Sequence, residues 1–293
     1  MSYENRKNWD EIYDNQDKIL NILRNTQDIF LAGGTAIQRF LINKPYRESD
    51  DLDFFISIYD DNLANTAFTK IVQSLRDSSD ITIENIMHEK GLGVKRVFCS
   101  VKNSDEMIKV ELLNCTTDRY NNLSYVECNN FPRVENAYNM ILYKLKALSD
   151  RKDTIKDLFD LYFLCREFPH QVKSIKDLMF DLELKFLQST GYKYDLGTTI
   201  KAFKVRSRNW DIVLSDQVYK DFYIQEAIES FRKEFLEALT VYDDNVDFSY
   251  QSKVDKITNQ EVPLDAYYEF IETNLFIAEH ALSLGKFDEV KYK

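Results

Sequence analysis

Residues 47–57, RESDDLDFFIS, constrain the fold more tightly than any other stretch of the chain. Three aspartates fall within four positions, Asp50, Asp51 and Asp53, and run straight into Phe54, Phe55 and Ile56. A solvated acidic loop does not pass directly into an apolar aromatic run. LDFFISI therefore reads as a strand interior, with Asp51 and Asp53 at its mouth. Side chains two apart on a strand share a face, so the two carboxylates point the same way. Beside a buried sheet they repel each other unless something positive lies between them: a lysine, an arginine or a divalent metal.

The flanking pattern places this strand in a larger unit. NWDEIYDNQDKILNILRN carries Ile12, Ile19, Ile22 and Leu23 at helical spacing. DIFLA, residues 28–32, is a short apolar strand that Gly33-Gly34-Thr35 breaks, and TAIQRFLIN resumes helical character. DNLANTAFTKIVQSLRDS predicts a helix, and ITIENIMHE, GVKRVFCSVKN and EMIKVELLN predict three more strands, with a hairpin turn at NSDE, residues 103–106. From about Val134 onward the pattern turns helical, beginning with ENAYNMILYKLKALSDR and KDTIKDLFDLYFLCREF. The shift near Asn130–Val134, at Pro132, predicts an α+β chain of two parts. Residues 1–130 would form an α/β domain with a mixed sheet, and residues 131–293 a mostly helical domain.

Composition removes several classes. The 293 residues are 44% apolar with only 7 Gly and 4 Pro, enough for a real core and too few breakers for a disordered chain. No run of 18 apolar residues occurs, so no membrane span is expected, and MSYENRKNWDEIY lacks the apolar centre of a secretory signal. Cys99, Cys115, Cys128 and Cys165 show no CxxC spacing, and His88, His170 and His280 are isolated. A zinc site and disulfides are not expected, and a reducing cytoplasm fits. A net charge of −11 disfavours broad non-specific binding to nucleic acid but leaves room for a local basic groove.

Strand, Gly-Gly-Thr, helix is a geometry in which backbone approaches a phosphate closely and free N–H groups attract an anion. Thr35 could cap the helix or donate its hydroxyl to a phosphate; a plain tight turn with a capped helix has the same pattern. Glu111, inside MIKVELLN among Val110, Leu112 and Leu113, is costly if left unpaired. Lys109 is expected to face the opposite side. If this strand neighbours DLDFFISI, Glu111 converges on Asp51 and Asp53. Three carboxylates can cradle two Mg²⁺ ions about 3.5–4 Å apart, an arrangement that activates an attacking oxygen and stabilises leaving pyrophosphate. The alternative for Glu111 is an exposed residue on an edge strand. KAFKVRSRNW, residues 201–210, is basic with interleaved aromatics and suits either an RNA contact or a helix end packing Phe203 and Trp210 inward.

GGTAI, RESDDLDFF, IKVEL, YKLKALSDR and KDLFDLYFL, in that order, resemble the AbiEii/AbiGii toxin family of nucleotidyltransferases, within the DNA polymerase β-like superfamily. The likeness is good over residues 28–165 and holds in outline beyond. It departs at Tyr46, where the family often has histidine, and at LINKPY, which lengthens the loop between Gly34 and Asp51. The resemblance implies a Mg²⁺- or Mn²⁺-dependent transfer of a nucleoside monophosphate from an NTP to an acceptor hydroxyl. Asp51, Asp53 and Glu111 would hold metal, and Gly33, Gly34, Thr35, Arg47 and Ser49 would line the nucleotide. Lys144 and Arg151, which share a helical face, would also bind the nucleotide, with Lys144 neutralising the triphosphate. Asp157 and Asp160 would orient Lys144 or the base and ribose; a surface Lys156–Asp160 pair is the alternative for that motif. The implied setting is a toxin of a toxin–antitoxin or phage-defence (abortive infection) system, with tRNA as a candidate acceptor and an antitoxin as partner. Two other readings stay open: a small-molecule nucleotidyltransferase of the antibiotic-modifying kind, and a non-catalytic nucleotide-binding interaction protein.

Overall fold

The computed structural model describes residues 7–27, 29–56, 61–89, 94–113, 131–150, 155–172, 174–190, 194–204 and 222–244. The fold is α+β. Helix α1 (Trp9–Leu23) opens on Asn8, whose side chain accepts from the Glu11 backbone N–H, and it buries Ile12, Ile19, Leu20 and Leu23 along one stripe. Strand β1 (Ile29–Ala32) follows, then α2 (Gly33–Ala36), which runs on as a π-helical turn through Ile37–Leu41. Strand β2 is Asp51–Ile56, α3 is Asp61–Arg76, and β3 (Ile81–Glu89), β4 (Val94–Val101) and β5 (Met107–Leu113) complete the sheet. The helices α4 (Ala137–Asp150), α5 (Lys156–Glu167), α6 (Ile175–Thr190), α7 (Leu196–Lys204) and α8 (Phe222–Asp244) follow.

The sheet order is β1-β2-β5-β4-β3, with β2 and β5 parallel and the other pairs antiparallel. Alternation sorts the residues. Leu52, Phe54, Val97, Cys99, Ile108, Val110 and Leu112 are buried on one face, while Asp51, Asp53, Arg96, Lys109 and Glu111 occupy the other. Glu111 thus lies on the middle strand of the sheet and not at an edge. Phe55, on the carboxylate face, meets Tyr143 of α4 edge-on at 4.7 Å, so the helical half packs over the sheet beside the acids.

The segment at the expected boundary is tied to the sheet. Leu31 N–H donates to the Arg133 carbonyl and Glu135 N–H to the Leu31 carbonyl, both at 2.9 Å, a parallel bridge along the free edge of β1. The Arg133 guanidinium also reaches the backbone carbonyls of Arg24, Thr26 and Ile29. NSDE forms the predicted turn, with Asn103 in the left-handed region at φ 62. Of the basic stretch, Lys201–Lys204 ends α7, with Phe203 buried and stacked on Phe235 at 5.0 Å; residues 205–210 lie outside the described residues. Among the described residues no helix is long and apolar enough to cross a membrane.

Candidate active site

The parallel pairing of β2 with β5 sets the site. Asp53 sits opposite Glu111 and Asp51 opposite Lys109. Lys109 does not face away, as the sequence reading expects. Being two residues from Glu111 on one strand, it must share that residue's face. Its ammonium lies 3.1 Å from Asp51 Oδ2 and 2.9 Å from Glu111 Oε2. Arg96 on β4, opposite Glu111 in register, grips the same carboxylate: Nε is 3.1 Å from Oε2 and an Nη 3.2 Å from Oε1. Burial alone would raise the Glu111 carboxyl, but Arg96 and Lys109 together bring it below its ordinary value. Asp53 is in the opposite situation. Among the described residues no hydrogen bond or ion pair reaches its carboxylate. Burial first, then the charges of Asp51 and Glu111, push it up to about 7, against the opposing pull of Lys109 and Lys144.

Backbone geometry holds these acids in place. Gly33 begins α2 with φ +69, and a Cβ there would overlap the Asp53 carboxylate. Glycine is required twice over, by the left-handed backbone and by close approach. Gly33→Ala is expected to cost at least about 1–2 kcal/mol and to displace Asp53; a lower thermal midpoint together with lost activity checks this. A Cβ at Gly34 would overlap Arg47 and Ser49. Thr35 neither caps the helix, which starts two residues earlier after Ala32, nor stays free for a phosphate. It is fully buried, and its hydroxyl donates to the Asp51 carbonyl at 2.5 Å. The Gln16 amide donates to the Ser49 carbonyl at 2.9 Å and the Asp51 carbonyl at 3.4 Å. Thr35 and Gln16 thereby fix the mouth of β2.

A second cluster joins the halves. Arg47 is turned inward instead of toward a phosphate, because a desolvated guanidinium needs a carboxylate. Its Nε and an Nη lie 2.8 and 2.9 Å from the two oxygens of Asp160. The Lys144 ammonium lies 2.9 Å from Asp157 Oδ1 and 2.7 Å from Asp160 Oδ2. The Tyr46 hydroxyl donates to Asp160 Oδ1, and its ring stacks on Phe163 at 3.8 Å. Gln38 Oε1 accepts from the Tyr46 N–H at 3.1 Å. Asp157 and Asp160 are fully buried, so Asp160 is not part of a surface pair with Lys156. Two cations balance two anions in this cluster, and the charge of Lys144 reaches Asp53. Arg151 lies outside the described residues. Sequence reading missed Arg96, Gln16 and Gln38 and misplaced Lys109; only Lys109 carried a signal, its two-residue spacing from Glu111.

The donor chemistry at β2 suits a hard divalent cation, since the half-buried Asp51 and Asp53 offer oxygen ligands side by side, Asp53 with no hydrogen bond or ion pair among the described residues. Among the described residues no three acidic, His or Cys side chains stand ready as a cage. Lys109 engages both Asp51 and Glu111, and Arg96 engages Glu111.

The family model described as nucleotidyl transferase AbiEii toxin, type IV TA system, matches residues 20–260. Among solved structures, MenT4, a nucleotidyltransferase toxin from Mycobacterium tuberculosis H37Rv, is 16% identical, with 85% of this chain and 91% of that chain covered and a TM-score of 0.54. JHP933 from Helicobacter pylori is 18% identical, with 84% and 94% covered and a TM-score of 0.45. No curated protein matches the chain. At these identities the likeness to MenT4 speaks for the fold alone; the match over residues 20–260 speaks for kinship, and the chain belongs to the AbiEii nucleotidyltransferase toxin family.

Proposed function

We propose that this protein transfers a nucleoside monophosphate from an NTP to an acceptor hydroxyl on RNA, with tRNA as the candidate acceptor, and that it depends on Mg²⁺ or Mn²⁺. The observation that carries this reading is the placement of Asp51, Asp53 and Glu111 on one face of adjacent parallel strands, with Asp53 directly opposite Glu111. Asp51 and Asp53 would hold the divalent cation, and Glu111 would complete the donor set once Lys109 lets go, with Arg96 still orienting it. When bound, the cation supplies Lewis-acid activation of the α-phosphate and of the attacking hydroxyl. The backbone at Gly33 and Gly34 lets Asp53, Arg47 and Ser49 pack closely against α2, which holds the acids at the site. The acceptor oxygen bonds to the α-phosphorus as the bond to pyrophosphate breaks. Lys144, steadied by Asp157 and Asp160, neutralises the charge that leaves. Residues 1–130 supply the carboxylates, and residues 131–293 complete the NTP and acceptor site. The setting is cytoplasmic, as the toxin of a toxin–antitoxin or abortive-infection pair restrained by an antitoxin.

Incubation with each α-labelled NTP and total RNA tests this. The expected result is label on a discrete RNA size class, with a preference among the NTPs, abolished by EDTA. Transfer that survives EDTA overturns the metal reading, and label only on small molecules overturns the RNA acceptor.

A further inference from the structure

We propose that Lys109 is a built-in counter-cation that competes with a divalent ion for Asp51 and Glu111, and so sets the affinity of the site for metal. This rests on the reading that Asp51 and Asp53 hold that ion. Lys109 reaches this position by pairing alone: it lies opposite Asp51 in the β2–β5 register and two residues before Glu111 on the same face. Its single ammonium is shared between Asp51 Oδ2 at 3.1 Å and Glu111 Oε2 at 2.9 Å. Any cation that draws on those two oxygens must move the lysine first.

Among the described residues, four cations around the acids differ in whether they can leave. The side chains of Arg47 and Lys144 are 6% and 9% exposed, and both are clamped by fully buried aspartates. Arg96 is 24% exposed and holds Glu111 with two nitrogens. Lys109 is 33% exposed, the most open of the four, and it ends in a point charge on a flexible stem that water solvates well. Arg96 is the lasting anchor, keeping Glu111 oriented through Oε2 at 3.1 Å and Oε1 at 3.2 Å. Lys109 is the removable partner, whose departure frees Asp51 Oδ2 and leaves Glu111 Oε2 to Arg96, whose Nε lies 3.1 Å away. In the metal-free protein it also relieves the repulsion among three acids on one face, which is why removing it does more than delete a surface charge.

The test measures Mn²⁺ binding to the full chain without nucleotide, by the electron paramagnetic resonance of free Mn²⁺. K109M is expected to bind Mn²⁺ about tenfold tighter than the parent, the effect of one unit charge within contact distance. It is also expected to show a larger Mn²⁺-induced rise in thermal midpoint. K109R keeps the charge in a fork that engages both carboxylates, and should bind Mn²⁺ as weakly as the parent or more weakly. D53N should lose binding. If K109M binds no tighter than the parent while D53N loses the ion, the competition is overturned and the Asp51–Asp53 reading stands. If D53N binds as the parent does, that reading falls and this inference falls with it. Should K109M not fold, K109R decides: tighter binding than the parent overturns the proposal.

Discussion

Asp53→Asn is expected to reduce nucleotidyl transfer by at least about a hundredfold while leaving the protein as stable as the parent or more so. The two halves of that expectation share one cause. Asp53 is a carboxylate with no neutralising contact among the described residues, crowded by Asp51 and Glu111 on the same face and raised to about 7. A folded-state value above the unfolded one means that the ionised side chain works against folding wherever it is charged, so an uncharged isostere removes a penalty. Under the proposed function, such a residue would be kept at a cost in stability because the ionised carboxylate receives a cation. Ordinary structural residues behave in the opposite way: their loss lowers stability, and activity follows. Steady-state transfer measured beside a thermal unfolding curve separates the cases. Full transfer by the Asp53→Asn protein rules out the carboxylate as a ligand, and a fall in midpoint that accounts for lost activity makes Asp53 structural.

The residues that sequence could and could not assign differ in how far apart their partners lie. Asp51 and Asp53 were legible because acids alternate with apolar residues inside one strand, a period of two that survives any tertiary arrangement. Glu111 was legible as an anomaly, an acid in an apolar strand, but its convergence on Asp53 required β5 to lie beside β2, which local pattern does not specify. Lys109 was within reach of the same two-residue rule that links Asp51 to Asp53, and the expectation that it faces away misapplied that rule. Arg96 has no local signal. GVKRVFCSV offers two cations side by side, and only the β4–β5 register selects the arginine. Tyr46 and Gln38 reach Asp160 across 114 and 122 positions, so nothing near them in sequence announces the partner. The glycine pair was read as a break before a helix; Gly33 instead opens the helix with its positive φ, and Gly34 is already inside it. The stretch near Pro132 looked like a plain boundary because its bonds to β1, two between backbones and one from the Arg133 guanidinium to the Ile29 carbonyl, leave no trace in composition.

Asp160→Ala is expected to lower folding stability by about 3–5 kcal/mol, the cost of breaking a buried ion cluster from one side. Asp160 serves two buried cations at once, with Arg47 on both its oxygens and Lys144 at 2.7 Å, and it accepts the Tyr46 hydroxyl as well. Removing it leaves a guanidinium and a phenol without their main acceptor, and leaves Lys144 with Asp157 alone. Asp160→Asn keeps the shape and one acceptor oxygen but not the charge, so a smaller loss in the same direction is expected. Lys146→Ala, at an exposed i, i+4 pair with Asp150, should change stability by no more than about 0.5 kcal/mol. The same cluster predicts an acid limit. Burial alone would raise the Asp160 carboxyl, but the charges of Arg47 and Lys144 outweigh it and hold the group well below the usual carboxylate range. A value lowered on folding gives stability that is fully present above the unfolded value, about 4, and is lost as pH falls toward the folded one. Urea midpoints between pH 3 and 7 should therefore decline at the acid end more steeply in the parent than in Asp160→Asn. Because Arg47 comes from the loop before β2 while Lys144 and Asp160 come from α4 and α5, this cluster also joins the sheet to the helices. Asp160→Ala should loosen that joint, so NTP affinity and rate fall together even where the protein remains folded. An Asp160→Ala protein with parental urea midpoint and parental NTP affinity would show that the cluster neither holds the halves together nor steadies Lys144.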